Sequence, residues 1–377
     1  MQHKRPTRWR RVVAPSAFVA AALAVTVAGS LTWASASDRP RKHHRPAAAS
    51  ASASPVASAP ASATPSASVS ASASASASPA GYVLAPEPVT GVKPSNLVPE
   101  PRMFHEFQAN CAVSRTNLSD DPIVFPKLPG ASHSHTFMGN TTTNADTTPS
   151  SLEAGATKCL AKGDLSAYWM PTLYNGAEAV NPEGVQTIYY KTGVNDYTSV
   201  RPFPKGLRFV VGNAKNTDPQ KFLKATVEGF ECGESYKNAD IPATCPATAS
   251  TKLNIRYQAP SCWDGIHLDT PDHQSHMAYP IIKDHPIGAA CPDDHPVALP
   301  MLEFKMAWPV NGDMAKVRFA SGRGYTFHYD FMNAWDPATL SALVKACINK
   351  GRQCNARGYD EREPVTTAVL NENYILP

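Results

Sequence analysis

No cysteine occurs before residue 111, and nowhere are two cysteines spaced C-x-x-C. The second absence removes zinc ribbons and thioredoxin-type redox motifs from consideration. The chain also lacks G-x-S-x-G, H-E-x-x-H and a P-loop. Nucleophile-elbow hydrolases, zincin proteases and nucleotide hydrolases lose their support with them. Windows with helical periodicity are scarce. Positive charge is scarce too, outside one end: residues 1–45 hold nine Lys/Arg against a single acid, a charge of +8, so the rest of a chain of net charge +4 carries −4. A mildly acidic body gives a nucleic-acid partner no electrostatic help, and none is expected.

What is present begins with an export signal. Residues 1–11 are basic, residues 12–33 are apolar and alanine-rich, and Ala34-Ser35-Ala36 supplies an A-x-A cleavage site. That order predicts a Sec-type signal peptide over 1–36. An uncleaved membrane anchor is the alternative, because the apolar run rivals a membrane span. In both cases the remainder lies outside the cytoplasm, secreted or tethered to the outer face of the membrane. Residues 37–100 are basic and then Ala/Ser/Pro-rich. Such a stretch buries too little apolar surface to repay its ordering entropy, so a disordered linker is expected there. The globular domain is expected over 101–377.

All eight cysteines fall in that domain, and behind an export signal they read as a disulfide framework. Short loops close at least entropic cost. That selects Cys232–Cys245, Cys262–Cys291 and Cys347–Cys354 and leaves Cys111–Cys159, with free buried thiols as the alternative. Short apolar or alternating runs bounded by Gly, Pro, Asn and Asp predict strands over 187–191, 207–212, 224–230, 253–258, 302–308, 316–320 and 324–330. One helix is expected over 337–348, with Asp336 as N-cap and Pro337 at the first position. The expected fold is mainly β: a single β-sandwich-like domain with long disulfide-tied loops and a C-terminal helix.

Three polar clusters stand out. Residues 261–280 hold His267, His273 and His276, Asp264, Asp269 and Asp272, together with Cys262, Trp263 and Tyr279. Residues 130–140 contain His133-Ser134-His135 and end at Asn140. Alternate residues of a strand share a face, so these two imidazoles point the same way and suit a transition metal or divided acid–base work. Downstream, His328 and Asp330 alternate with Phe327, Tyr329 and Phe331, which predicts a polar face opposite an aromatic one. The expected acid–base groups are Asp269, Asp272, His273 and His276, because a carboxylate beside an imidazole fixes its tautomer and raises its basicity. Turn capping is the alternative for both aspartates. His133, His135, Asn140, Trp169, Trp263, Asp264, His328 and Asp330 are expected to line a binding site. His133, His135, His273 and His276 are the expected ligands of a divalent metal. Trp169, Trp263, Tyr279 and Trp335 offer apolar faces with polar edges, as a sugar cleft needs.

The segments D-P-I-V-F-P-x-x-P-G-A-S-H-S-H-T-F-x-G-N-T-T-T-N-A (121–145), S-A-Y-W-x-P-T-L-Y (166–174), C-W-D-G-x-x-L-D-x-x-D-H-x-S-H-M-A-Y-P (262–280) and F-x-N-A-W-D (331–336) resemble the domain-of-unknown-function 1996 family, found in secreted proteins of actinobacteria and filamentous fungi. The resemblance implies export and a shared His/Asp-rich core, and names no substrate. Fungal relatives with a carbohydrate-binding cell-wall module direct attention to glycans, although this chain carries a low-complexity spacer in that place.

Three functions therefore stand open. One is a hydrolase or lyase acting on cell-envelope or environmental polysaccharide. The second is a non-catalytic glycan or cell-surface binding protein, and the third an extracytoplasmic copper- or zinc-binding protein. All require the three clusters to meet at one hollow.

Overall fold

The computed structural model describes residues 80–233, 237–363 and 367–377. The expected signal peptide, and the expected linker up to residue 79, lie outside them. Nine strands form the main sheet: β1 (Glu106–Leu118), β2 (His135–Gly139), β3 (Ala167–Pro171), β4 (Val185–Lys191), β5 (Arg208–Gly212), β6 (Val227–Glu231), β7 (Leu253–Gln258), β8 (Met301–Trp308) and β9 (His328–Met332). Their order is β5-β9-β3-β2-β1-β4-β8-β7-β6, antiparallel at every pair.

One strand explains how this sheet closes on itself. The first part of β1 pairs with β4 from Glu106 to Ala112, and its last part pairs with β2 from Val113 to Leu118. Register shifts fall between Val113 and Arg115 and between Arg115 and Leu118. Such irregularities bend a strand and increase its twist. The sheet folds over at β1 into two leaves, and their inner faces meet in an aromatic core. Phe304 of β8 stacks on Tyr329 of β9 with ring centroids 3.7 Å apart. Tyr257 of β7 meets the same ring edge-on at 5.7 Å. Phe107, Ala109 and Cys111 alternate inward along β1, all fully buried. This is the mainly β, sandwich-like body that the strand pattern predicts.

Three helices follow one rule. Thr148-Pro149 opens α1 (Pro149–Glu153), Asp218-Pro219 opens α2 (Pro219–Thr226) and Asp336-Pro337 opens α3 (Pro337–Leu343). In each case a side-chain oxygen of the first residue accepts from backbone N–H groups of the first turn, and proline sits where no N–H is needed. The helix α3 widens into a π-helical turn over Val344–Ile348. The strand expected over 224–230 is corrected by α2, which occupies its first half before β6 begins. The expected strand over 324–330 starts instead at His328, after a 3₁₀ turn at Gly324–Thr326.

The disulfides are Cys111–Cys159, Cys232–Cys245, Cys262–Cys291 and Cys347–Cys354. Ahead of residue 101 the chain already pairs with the body. Val83–Leu84 lies antiparallel to His267–Asp269, and Val89 donates to the Gly265 carbonyl. Among the described residues no helix is long and apolar enough to cross a membrane.

A polar thread runs through the core. Trp335 Nε1 donates to the Tyr190 hydroxyl (2.8 Å), Tyr190 to Tyr168 (2.7 Å), and Tyr168 to Asp164 Oδ2 (2.7 Å). Burial pushes the Asp164 carboxyl up to about 7, against the hydrogen bonds from Tyr168 and Ser166. The folded chain thus keeps a proton that the unfolded chain has released. That stabilisation is complete below the ordinary carboxylate pKa and is lost as pH rises through about 7. The unfolding free energy of the wild type, minus that of Asp164→Asn, is expected to fall between these limits by up to about 1.4 kcal/mol per pH unit. Urea titrations at several pH values measure it, and a flat difference rejects a protonated Asp164.

Candidate metal centre

The outer face of the β5-β9-β3-β2 leaf is the unusual surface of this molecule. Alternation along β9 sends Tyr329 and Phe331 inward and His328, Asp330 and Met332 outward. Along β2 it sends His135 and Phe137 outward, and along β3 Trp169. An outer face normally meets water. Here His135, Phe137, Trp169 and Asp330 are fully buried and His328 nearly so. Ile123 and Leu152 pack with Phe137, Trp169 and Met332 to cover it.

Register sets the positions. His135 lies opposite Pro171, and Asp330 lies opposite Trp169. The compact Pro171 ring leaves the imidazoles from the two flanking strands room to lean together. The His133 ring centroid is 4.4 Å from that of His135 and 5.0 Å from that of His328, and those of His135 and His328 are 5.8 Å apart. One ligand atom from each of the three lies within 4.8 Å of the others. A second such group, within the same limit, joins Asp121, His135 and Asp330. Asp121 enters from the loop after β1, where its Oδ1 accepts from the backbone N–H groups of Ile123 (3.0 Å) and Val124 (2.9 Å).

Tautomers follow from the partners. His135 Nδ1 is 2.9 Å from the Asp120 carbonyl, and His328 Nδ1 is 3.0 Å from the Thr326 carbonyl. A carbonyl only accepts, so both Nδ1 atoms carry the proton. Burial lowers the pKa of His133, His135 and His328, the last to about 3. The rings are neutral at pH 7, and in His135 and His328 the lone pair sits on Nε2. A hydrogen bond from the far nitrogen to a carbonyl is the outer support that metal-bound imidazoles have. The Nε2 atoms of His133 and His135, both oxygens of Asp330 and Trp169 Nε1 are all buried with no hydrogen-bond partner among the described residues. Burial, with Asp121 nearby, drives the Asp330 carboxyl far above its usual range. Orphaned polar groups in a folded interior are costly, and here several converge. A divalent ion is one occupant that would satisfy imidazole lone pairs and a carboxylate together.

The segment 269–276 borders this centre along the free edge of β5. Val210 N–H donates to the His273 carbonyl, and His276 Nε2 donates to the Arg208 carbonyl. His273 Nδ1 donates to Asp269 Oδ1 at 2.8 Å, and Arg208 Nε donates to Asp269 Oδ2 at 2.7 Å. Burial raises the pKa of the Asp121 carboxyl, against the backbone hydrogen bonds from Val124 and Ile123 and the nearby His273. His273 sits at a φ of 57°, in the left-handed region, so the turn itself aims this side chain.

Other expected site residues have different work. Asp272 accepts at Oδ1 from Thr270 Oγ1, Gln274 N, Ser275 N and Ser275 Oγ. Burial opposes its ionisation, but these bonds outweigh burial and hold the carboxyl well below the usual range. These bonds make it the cap of its own turn. His276 is fully buried, with Nε2 on the Arg208 carbonyl and Nδ1 3.0 Å from Thr270 Oγ1, and stands outside the imidazole cluster. Asn140 is fully buried and braces loops through Leu152, Leu165 and Thr142. Trp263 is buried with its Nε1 on the His267 carbonyl, and Asp264 closes that same turn through His267. His273 is held by Asp269 at the rim. His328 takes the third imidazole place in the cluster, and Asp121 was missed altogether. Its only signal in sequence was its place at the head of the 121–145 motif.

A family model described as domain of unknown function (DUF1996) matches residues 121–335. The chain belongs to this family. No curated protein matches the chain, and no solved structure does. The DUF1996 match begins at Asp121 and ends at Trp335, so it encloses all five clustered side chains as well as the Asp269–His273 pair.

Proposed function

We propose that this is an exported protein that binds one divalent transition-metal ion, zinc or copper, through His133, His135 and His328. Asp330 and Asp121 supply the neighbouring carboxylates. The observation that carries this reading is the convergence of buried Nε2 atoms and a buried carboxylate that have no partners among the described residues. Two imidazoles already donate Nδ1–H to carbonyls, so their Nε2 lone pairs are presented without any tautomer change. Nitrogen-rich sites of this type suit zinc and copper over magnesium or calcium. Export is supported by the basic–apolar–A-x-A start of the sequence and by four disulfides. Mass spectrometry of purified protein, loaded with zinc or copper and then desalted, is expected to find about one ion per chain. An ion-free protein after loading with either metal ends this reading.

A second reading, catalysis on a polysaccharide, has one observation in its favour. The Asp269–His273 pair is hydrogen-bonded, oriented by Arg208, and sits partly exposed beside the centre. Its Nδ1–H is fixed on the carboxylate, which leaves Nε2 for a proton transfer at a metal-polarised water or sugar oxygen. Metal-loaded wild type should then release reducing ends from some member of a polysaccharide panel, and His273→Ala should not while still holding its ion. No turnover across the panel leaves binding alone.

A further inference from the structure

Beside the metal centre lies a cleft of about 260 Å³. It is reached from β5 at Gly212, which pairs with His328, and from Gln274, which follows His273. Tyr257, Tyr279, Tyr325, Asn213, Gln274 and Lys221 line it, and no Asp or Glu does. Tyr279 is 43% exposed, and its hydroxyl is tied to the Gln258 carbonyl at 2.9 Å, which fixes the ring as part of the wall. Gln274 donates Nε2 to the Gly212 carbonyl at 2.8 Å and keeps Oε1 free.

The floor is the decisive feature. Tyr257 is only 1% exposed as a residue, yet it lines the cleft. A phenol hydroxyl on the floor of a cleft can both donate to a ligand and accept from it. Gly212, with φ at 96°, keeps that hydroxyl uncovered, because a Cβ there would stand 2.9 Å from Tyr257 Oη. Any other residue at 212 would be strained and would close the floor.

We propose that this cleft binds one pyranose ring of a polysaccharide. A sugar offers an apolar C–H face and a rim of hydroxyls that both donate and accept. The cleft offers aromatic faces, amide groups and a phenol in matching places. Lys221 at the mouth sets the one open point of chemistry, a neutral ring or a uronate. The inference stands on the cleft alone and holds whether or not the centre binds metal.

The test titrates the full secreted chain with cello-, xylo-, chito- and galacturono-oligosaccharides by calorimetry or affinity electrophoresis. At least one series is expected to bind. Tyr279→Ala should weaken that binding roughly five- to tenfold through lost stacking. Tyr257→Phe should weaken it about threefold or more through one lost hydrogen bond, and should melt no lower than wild type. Preference for galacturonides, lost in Lys221→Ala, identifies the uronate source; preference for the others identifies a neutral ring. The proposal is overturned if no series binds, if both tyrosine variants bind like wild type, or if Tyr257→Phe melts markedly lower, since that hydroxyl would then serve the fold.

Discussion

His135→Ala is expected to lower zinc affinity by more than about 100-fold, since removing a mere outer partner of a metal ligand already costs roughly 10–100-fold. His135 belongs to both clusters, the imidazole trio and the Asp121–Asp330 group. Its loss removes a donor and also the wall between those carboxylates and the other rings. The remaining pair, His133 and His328, would hold an ion only with solvent completing the shell. Competition against a chromophoric chelator at pH 7.5 measures the change. His267→Ala is the control, because that ring is committed to Asp264 in a separate turn, 2.6 Å away. Equal losses in both variants, or none in His135→Ala, would remove the centre from consideration. Lowering the pH should weaken binding in the wild type. Burial keeps the three rings neutral, and protons compete for the same Nε2 atoms only in acid, where His328 titrates near 3.

Phe304→Ala should cost about 3–5 kcal/mol of unfolding free energy, the usual penalty for emptying a core aromatic site. Phe304 and Tyr329 are fully buried, belong to different leaves, and form the closest ring pair in the core at 3.7 Å. Tyr168 closes on Phe304 at 6.1 Å and Tyr257 on Tyr329 at 5.7 Å, so neighbours on both sides would be undercut. The same loss should loosen the metal centre, because Tyr329 sits between His328 and Asp330 on β9. Denaturant titration of the oxidised protein gives the first number and zinc competition the second. A loss under about 1 kcal/mol would mean that the leaves are joined chiefly at β1 and not through this stack.

Some of the site could be read from residue order. The step of two from His133 to His135, and again from His328 to Asp330, fixes a shared face on any strand. The aromatic residues between the latter fix which face is the core. The cap-and-proline rule was written three times, at Thr148-Pro149, Asp218-Pro219 and Asp336-Pro337. Only the last reads as a helix start from sequence, because the β-branched and apolar residues after Lys224 favour a strand over α2. The longest strand, β1, went unread for a related reason. Its inward residues Phe107, Ala109 and Cys111 are followed by a bulged, polar second half that spoils the alternation. Asp269 and Asp272 look alike in sequence. One is held by Arg208, a residue far back in the chain; the other accepts only from its own turn.

Order along the chain determined the disulfide-dense β body and the faces that carry imidazoles, since each is written in local residue patterns. Which imidazoles meet was decided by tertiary structure. The strand order β9-β3-β2 and the register around Pro171 bring His133, His135 and His328 together, and a loop cover makes that outer face dry. Ligation depends on distances between strands far apart in sequence and on the loss of water, and local periodicity encodes neither.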